Sequence, residues 1–185
     1  IFDANTMSQV AEWKHNKTTI PEQVRIFADM IKALESQVGE RNNIYYSVEN
    51  NTIGEAALIS IADYGEDNIK GTFLSEDKKA GVGRRYRKGF NTTNKSKLAA
   101  CSKFKTLIEQ KRLTVKSKAL ISELKNFVAH GTSYAAKPGE HDDLVMATIL
   151  AVRMLQQVQN YHKNIGESMS DHTDNQIDPM PFIMF

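Results

Sequence analysis

Apolar residues recur along this chain with two alternating periods, one of extended structure and one of helix. Phe2, then Val10, Ala11 and Trp13, flank the turn-like Asn5-Thr6, which predicts a hairpin with strands near 1–4 and 7–14. From Pro21 onward Val24, Phe27, Ala28, Ile31 and Leu34 fall at intervals of three and four up to Gly39, a helix entered through Thr18 or Thr19 with proline in its first turn. Ile44-Tyr-Tyr-Ser-Val48 has the β-branched and aromatic composition of a buried strand and runs straight into Glu49-Asn50-Asn51. A second helix over Ile53–Tyr64 places Ala57, Ile61 and Tyr64 on one face and stops at Gly65, and a short strand follows around 71–74.

Beyond Glu76 the periodicity lapses as far as Phe90, a charged stretch punctuated by Gly81, Gly83 and Gly89 that reads as a loop. Thr92 or Thr93 then caps a helix whose stripe is Leu98, Cys101, Phe104, Leu107 and Ile108, with the lysines largely outside it. A short strand at 113–115, a helix near 118–125 carrying Ala119, Leu120 and Leu124, and extended structure at 127–129 come next. Asp142 or Asp143 opens an apolar helix through Leu144, Val145, Ala147, Thr148, Leu150, Ala151 and Leu155. Past Lys163 no period survives, so the pattern divides the chain into an α/β domain over 1–163 and a flexible tail over 164–185.

Composition refines this picture in two places. With 185 residues and 41% hydrophobic content the chain suits one domain with a real core. No apolar run approaches the roughly 20 residues of a membrane span, and Ile1-Phe2-Asp3 resembles no signal peptide, so no membrane partner and a cytoplasmic location are expected. The single cysteine, Cys101, leaves no internal disulfide and no thiolate cluster for zinc. Net charge is only +2, yet fourteen Lys or Arg face one acid, Glu109, between Lys78 and Lys118. Such a block suits a polyanion, and Arg84, Arg85, Arg87, Lys88, Lys95 and Lys97 are its candidate DNA contacts, a solvated basic face being the alternative.

Among the carboxylates, Glu49 at a strand end and Asp142-Asp143 at a helix start are the unusual ones. Acids so placed can converge above one sheet edge and offer the oxygen ligands that suit Mg²⁺ or Mn²⁺. Two such ions could activate a water and stabilise a leaving oxygen in phosphodiester hydrolysis. The competing reading of the aspartate pair is N-capping, and of Glu49 a plain turn residue. His141, His130, Tyr86 and Phe90 carry weaker signals, and Cys101 reads as a small buried hydrophobe.

Tyr46-Ser-Val-Glu49-Asn-Asn-Thr-Ile-Gly54 and Ser133-Tyr-Ala-Ala-Lys-Pro-Gly-Glu-His-Asp-Asp-Leu-Val-Met-Ala147 resemble, in order and spacing, motifs of the T-even-type terminase large subunit. The likeness runs over nearly the whole chain, including Gln9-Val-Ala-Glu-Trp13 and Cys101-Ser-Lys-Phe104. That family joins an ATPase motor to an RNase H-like nuclease that cuts concatemeric viral DNA with three acidic residues and divalent metal. The resemblance implies an RNase H-like mixed sheet flanked by helices, Glu49 as the second acid, and the third within Asp142-Asp143. It implies two Mg²⁺ or Mn²⁺ ions in the complete domain, and double-stranded DNA, the terminase ATPase domain, the portal protein and the small terminase subunit as partners, on the prohead in the host cytoplasm. The family's first acid lies on a strand upstream of the hairpin that begins here at Ile1, so residues 1–185 alone are expected to bind metal weakly and cut little. No Gly-x-x-x-x-Gly-Lys-Ser/Thr phosphate loop occurs in the sequence. A non-catalytic DNA-clamping fragment and a resolvase-like nuclease of the same fold are the alternatives.

Overall fold

The computed structural model describes residues 1–38, 44–76 and 88–170, with side chains described as far as 159. In chain order, strands β1 (Phe2–Asp3) and β2 (Ser8–Gln9) make a hairpin, followed by helix α1 (Ile20–Val38), strand β3 (Tyr45–Tyr46), helix α2 (Thr52–Tyr64) and strand β4 (Thr72–Phe73). Helices α3 (Asn94–Glu109) and α4 (Lys118–Asn126), the hairpin of β5 (Phe127–His130) and β6 (Ser133–Ala136), and helix α5 (Asp143–Ser170) complete the described order. No helix among the described residues is long and apolar enough to cross a membrane.

The expected mixed sheet consists of three two-stranded ladders: β1 antiparallel to β2, β3 parallel to β4, and β5 antiparallel to β6. The β3 ladder is short because its chain changes neighbours. The Leu74 amide donates to Tyr46 O, but from Val48 onward the partner is Phe90, whose amide donates to Val48 O and whose carbonyl accepts from the Asn50 amide. Glu49 therefore sits in a parallel bridge beside Phe90, at the far end of the strand.

Several local expectations shift for physical reasons. Residues 113–115 form no strand; Thr114 makes one parallel bridge to Ser8. The stretch 133–136, read only as part of a motif, is a strand, closed onto β5 across Gly131 at φ +57°. Helix α5 runs to Ser170, past the boundary expected at Lys163. Extension costs no new nucleus, and no proline occurs after Pro138 until Pro179.

Two apolar cores flank the middle of the molecule. In one, Val24, Ala28 and Ile31 of α1 pack with Tyr46, Ile61 and Ile69, and Phe27, Tyr46 and Phe73 meet edge to face at 5.5 and 5.2 Å. In the other, Ala100, Cys101, Leu120, Leu144, Val145 and Ile149 join α3, α4 and α5, continued by Phe104, Leu107, Leu113 and Val152. On α3 the buried stripe is Ala100, Cys101, Phe104 and Leu107, while Leu98 and Ile108 are exposed. A cleft of about 610 Å³ opens where the first core faces α5.

Candidate metal centre

Glu49 reaches this cleft because three local devices hold its backbone and side chain. Its carbonyl accepts from the Asn51 amide at 3.0 Å, closing the turn out of the strand. Asn51 is the N-cap of α2: its Oδ1 accepts from the Gly54 amide at 2.8 Å, and its Nδ2 donates to Glu49 Oε2 at 3.2 Å. Lastly the first turn of α2 presses on Glu49 itself. A Cβ at position 54 would lie 1.7 Å from the Glu49 carbonyl oxygen, so only glycine permits this approach. On the opposite side Gly89, at φ +81°, brings its Cα against Val48 O, where a Cβ would stand at 2.4 Å.

The aspartate pair reaches the same cleft from α5. Asp142 is the residue before the first helical position, and its carbonyl accepts from the Met146 amide at 2.8 Å. Its side chain does not cap the helix. The amides of Leu144 and Val145 donate instead to Glu123 Oε2, at 2.8 and 3.2 Å. The two neighbouring acids then differ. Asp143 is 66% exposed and its Oδ2 lies 3.1 Å from Lys14 Nζ, whereas Asp142 is 29% exposed and, among the described residues, pairs with Lys97 Nζ alone, at 4.0 Å. Lys97, 17% exposed, lies over the Phe127 ring at 5.5 Å.

Glu49, Asn51, Lys97, Asp142 and Asp143 thus line one cleft whose walls are apolar, among them Trp13, Phe27, Ile53 and Leu150. Among the described residues no three His, Cys, Asp or Glu side chains gather closely enough to hold an ion by themselves. The donor chemistry nevertheless fits Mg²⁺ or Mn²⁺. These ions take one or two carboxylates and fill their remaining positions with water and substrate phosphate, so Glu49 and Asp142 are the residues that would hold one here.

The basic candidates separate into three groups. Lys95 is exposed on α3 and free to meet a polyanion, and Lys97 belongs to the cleft. Lys88 pairs with Glu66 and lies over the Phe73 ring at 4.8 Å, which makes it an anchor of the β4 edge. Arg84, Arg85, Arg87 and Tyr86 lie outside the described residues. Phe90 is buried and faces Arg153 at 5.0 Å, so it anchors and stacks on nothing from solvent. His130 and His141 are exposed, and Cys101 is buried, its thiol pushed up by desolvation. Asp3 turns into its own hairpin, accepting from the Asn5 amide and the Thr6 hydroxyl.

Three contributors, Glu123, Arg153 and Gln157, carry no local signal in the sequence. Glu123 looks like any solvated helix acid until α5 and Lys14 close over it. Arg153, inside an apolar helix, donates to Glu76 Oε1 and Asn91 O, both at 3.1 Å, and Gln157 Nε2 donates to Ser75 O at 2.7 Å. Together they tie Ser75, Glu76 and Asn91 to α5.

Residues 2–155 match the family model described as the terminase RNaseH-like domain. That match covers both acid-bearing elements and makes the fold RNase H-like α/β, with a terminase nuclease role. The chain belongs to the terminase RNaseH-like domain family.

Proposed function

We propose that this domain is the divalent-metal-dependent endonuclease of a viral packaging terminase large subunit, and that it cuts concatemeric double-stranded DNA of a tailed phage. The observation that carries the reading is the convergence of Glu49, from a strand end, and Asp142, from a helix start, on one cleft with Lys97 of α3. Mg²⁺ or Mn²⁺ held there would supply an activated water and charge stabilisation for phosphodiester hydrolysis.

The chain's own residues set the frame for that chemistry. Asn51 orients the Glu49 carboxylate through its amide, Asp143 is engaged by Lys14 and leaves Asp142 as the ligand, and Lys97 supplies a cation beside a scissile phosphate. The exposed lysines of α3, Lys95 first among them, hold duplex backbone without reading bases, since phosphate contacts position and do not specify. The ATPase domain, portal protein and small terminase subunit are the partners this role requires, on the prohead in the infected cell.

The test is nicking of supercoiled plasmid in Mn²⁺ by the domain extended upstream of Ile1 to include the strand that carries the family's first acid, compared with Glu49→Gln and Asp142→Asn in the same extended form, with gel retardation of the same plasmid in EDTA alongside. Nicking that depends on metal and on both acids is expected, with retardation unchanged. Nicking equal in wild type and Glu49→Gln would refute the assignment. A second reading, DNA clamping without cleavage, draws on the absence of a three-acid set among the described residues. Retardation with no Mn²⁺-dependent nicking in any form would favour it.

A further inference from the structure

An aspartate at the start of a helix faces two exclusive uses. Its carboxylate can turn inward to accept the orphan amides of the first turn, the role for which Asp is among the best residues, or it can point outward to a ligand. Asp142 stands at the capping position of α5, yet the amides of Leu144 and Val145 are taken by a carboxylate 21 and 22 positions away. That carboxylate is Glu123, buried between α4 and α5.

Burial of a charged group is costly unless it is fully hydrogen-bonded. Glu123 meets the requirement with both oxygens: Oε2 accepts the two amides, and Oε1 accepts from Lys14 Nζ at 2.6 Å. The same ammonium lies 3.1 Å from Asp143 Oδ2. One buried carboxylate therefore satisfies the helix terminus and, through Lys14, engages the second aspartate of the pair. Both aspartates line the cleft, and Asp142 is the one that neither Lys14 nor the helix amides engage.

We propose that Glu123 is a positioning residue that takes over the capping of α5 and so releases Asp142 to act as a ligand, while Lys14 holds Asp143 in reserve. The metal-ligand part rests on the function proposed above; the release of Asp142 from capping does not, and can be measured without metal. A double-mutant cycle on thermal stability reads it directly. Asp142→Ala should leave the melting temperature nearly unchanged in the wild-type background. It should lower it clearly in the Glu123→Ala background, where Asp142 has become the only cap. Equal effects in the two backgrounds would overturn the proposal. Should Glu123→Ala fail to fold, Glu123→Gln, which keeps an acceptor and loses the charge, gives the same sign at smaller size, and additivity there is equally fatal.

Mn²⁺ affinity, followed by quenching of the single tryptophan, Trp13 in the cleft wall, separates the two claims. Glu123→Ala is expected to weaken binding about 10-fold, the size seen when residues that orient metal ligands are lost. Affinity unchanged by Glu123→Ala but abolished by Asp142→Asn would overturn the positioning role alone. Affinity unchanged by Asp142→Asn would overturn the metal reading, and the stability cycle would still decide the capping.

Discussion

Replacing Gly54 with alanine puts the strand-to-helix turn under a calculable load. The added methyl carbon would stand 1.7 Å from Glu49 O, half the 3.4 Å at which ordinary contact begins, and 2.8 Å from the carbonyl carbon behind it. The obstacle is main chain held by the Asn51 amide and by the Phe90 bridge, so it cannot rotate away as a side chain would. Overpacking of this kind costs about 1–3 kcal/mol, and a rigid obstacle puts it near the upper end. Alanine in a helix returns about 1 kcal/mol relative to glycine. The net loss is about 2 kcal/mol, which lowers the melting temperature of a chain this size by roughly 4–8 °C. Thermal denaturation followed by circular dichroism measures it. Because Glu49 moves with its backbone, the variant should also lose Mn²⁺ affinity beyond what its stability explains. A melting temperature that rises by the few degrees of the unopposed helix term would refute the packing of α2 against Glu49.

Three further outcomes follow from the same contacts. Arg153→Ala removes charge-assisted bonds to Glu76 and Asn91 and the stack on Phe90, at a cost of about 2 kcal/mol, and should speed hydrogen exchange at the Phe90 amide; unchanged exchange would contradict the staple. Lys95→Ala should reduce the slope of log affinity for duplex DNA against log salt by about 0.9, whereas Lys88→Ala, committed to Glu66 and Phe73, should leave the slope intact and lower stability; equal slopes for the two variants would reverse their roles. Asp3 has its carboxyl held below the usual 3.8 by the Thr6 hydroxyl and the Asn5 amide. A depressed folded-state value stabilises above 3.8 and is lost as pH falls through it, so Asp3→Asn should flatten the fall in melting temperature below that pH; parallel curves would show that the hairpin turn contributes nothing.

Much of this fold is legible in the pattern of apolar positions, and the gaps have identifiable causes. Helices α1 and α2 are each bounded to within two residues by their spacing and punctuation, because each packs one face on one core. The stripe on α3 is less legible. Leu98 and Ile108 fit the helical period as well as Ala100 does, but α3 packs at once against α5 and β6, and the smaller residue is the one that allows close approach. Strand lengths were overestimated because a β-branched run reports that a segment is extended and buried, not how long one neighbour stays beside it. Charge along a sequence does not reveal that Lys88 has Glu66 and the Phe73 ring beside it.

The acids show the same limit in sharper form. Sequence marks Asp142 and Asp143 as a pair at a helix start, and nothing within several residues distinguishes a cap from a ligand, since both uses favour the same residue at the same position. The deciding atoms belong to Glu123 on α4 and Lys14 beyond the first hairpin, and their bonds separate the pair into a pinned acid and a released one. A site built this way decides which acid serves the cleft through residues that do not line it. Substitution of Glu123 or Lys14 in a related chain would then be expected to change which of two adjacent aspartates serves the cleft, without altering either aspartate.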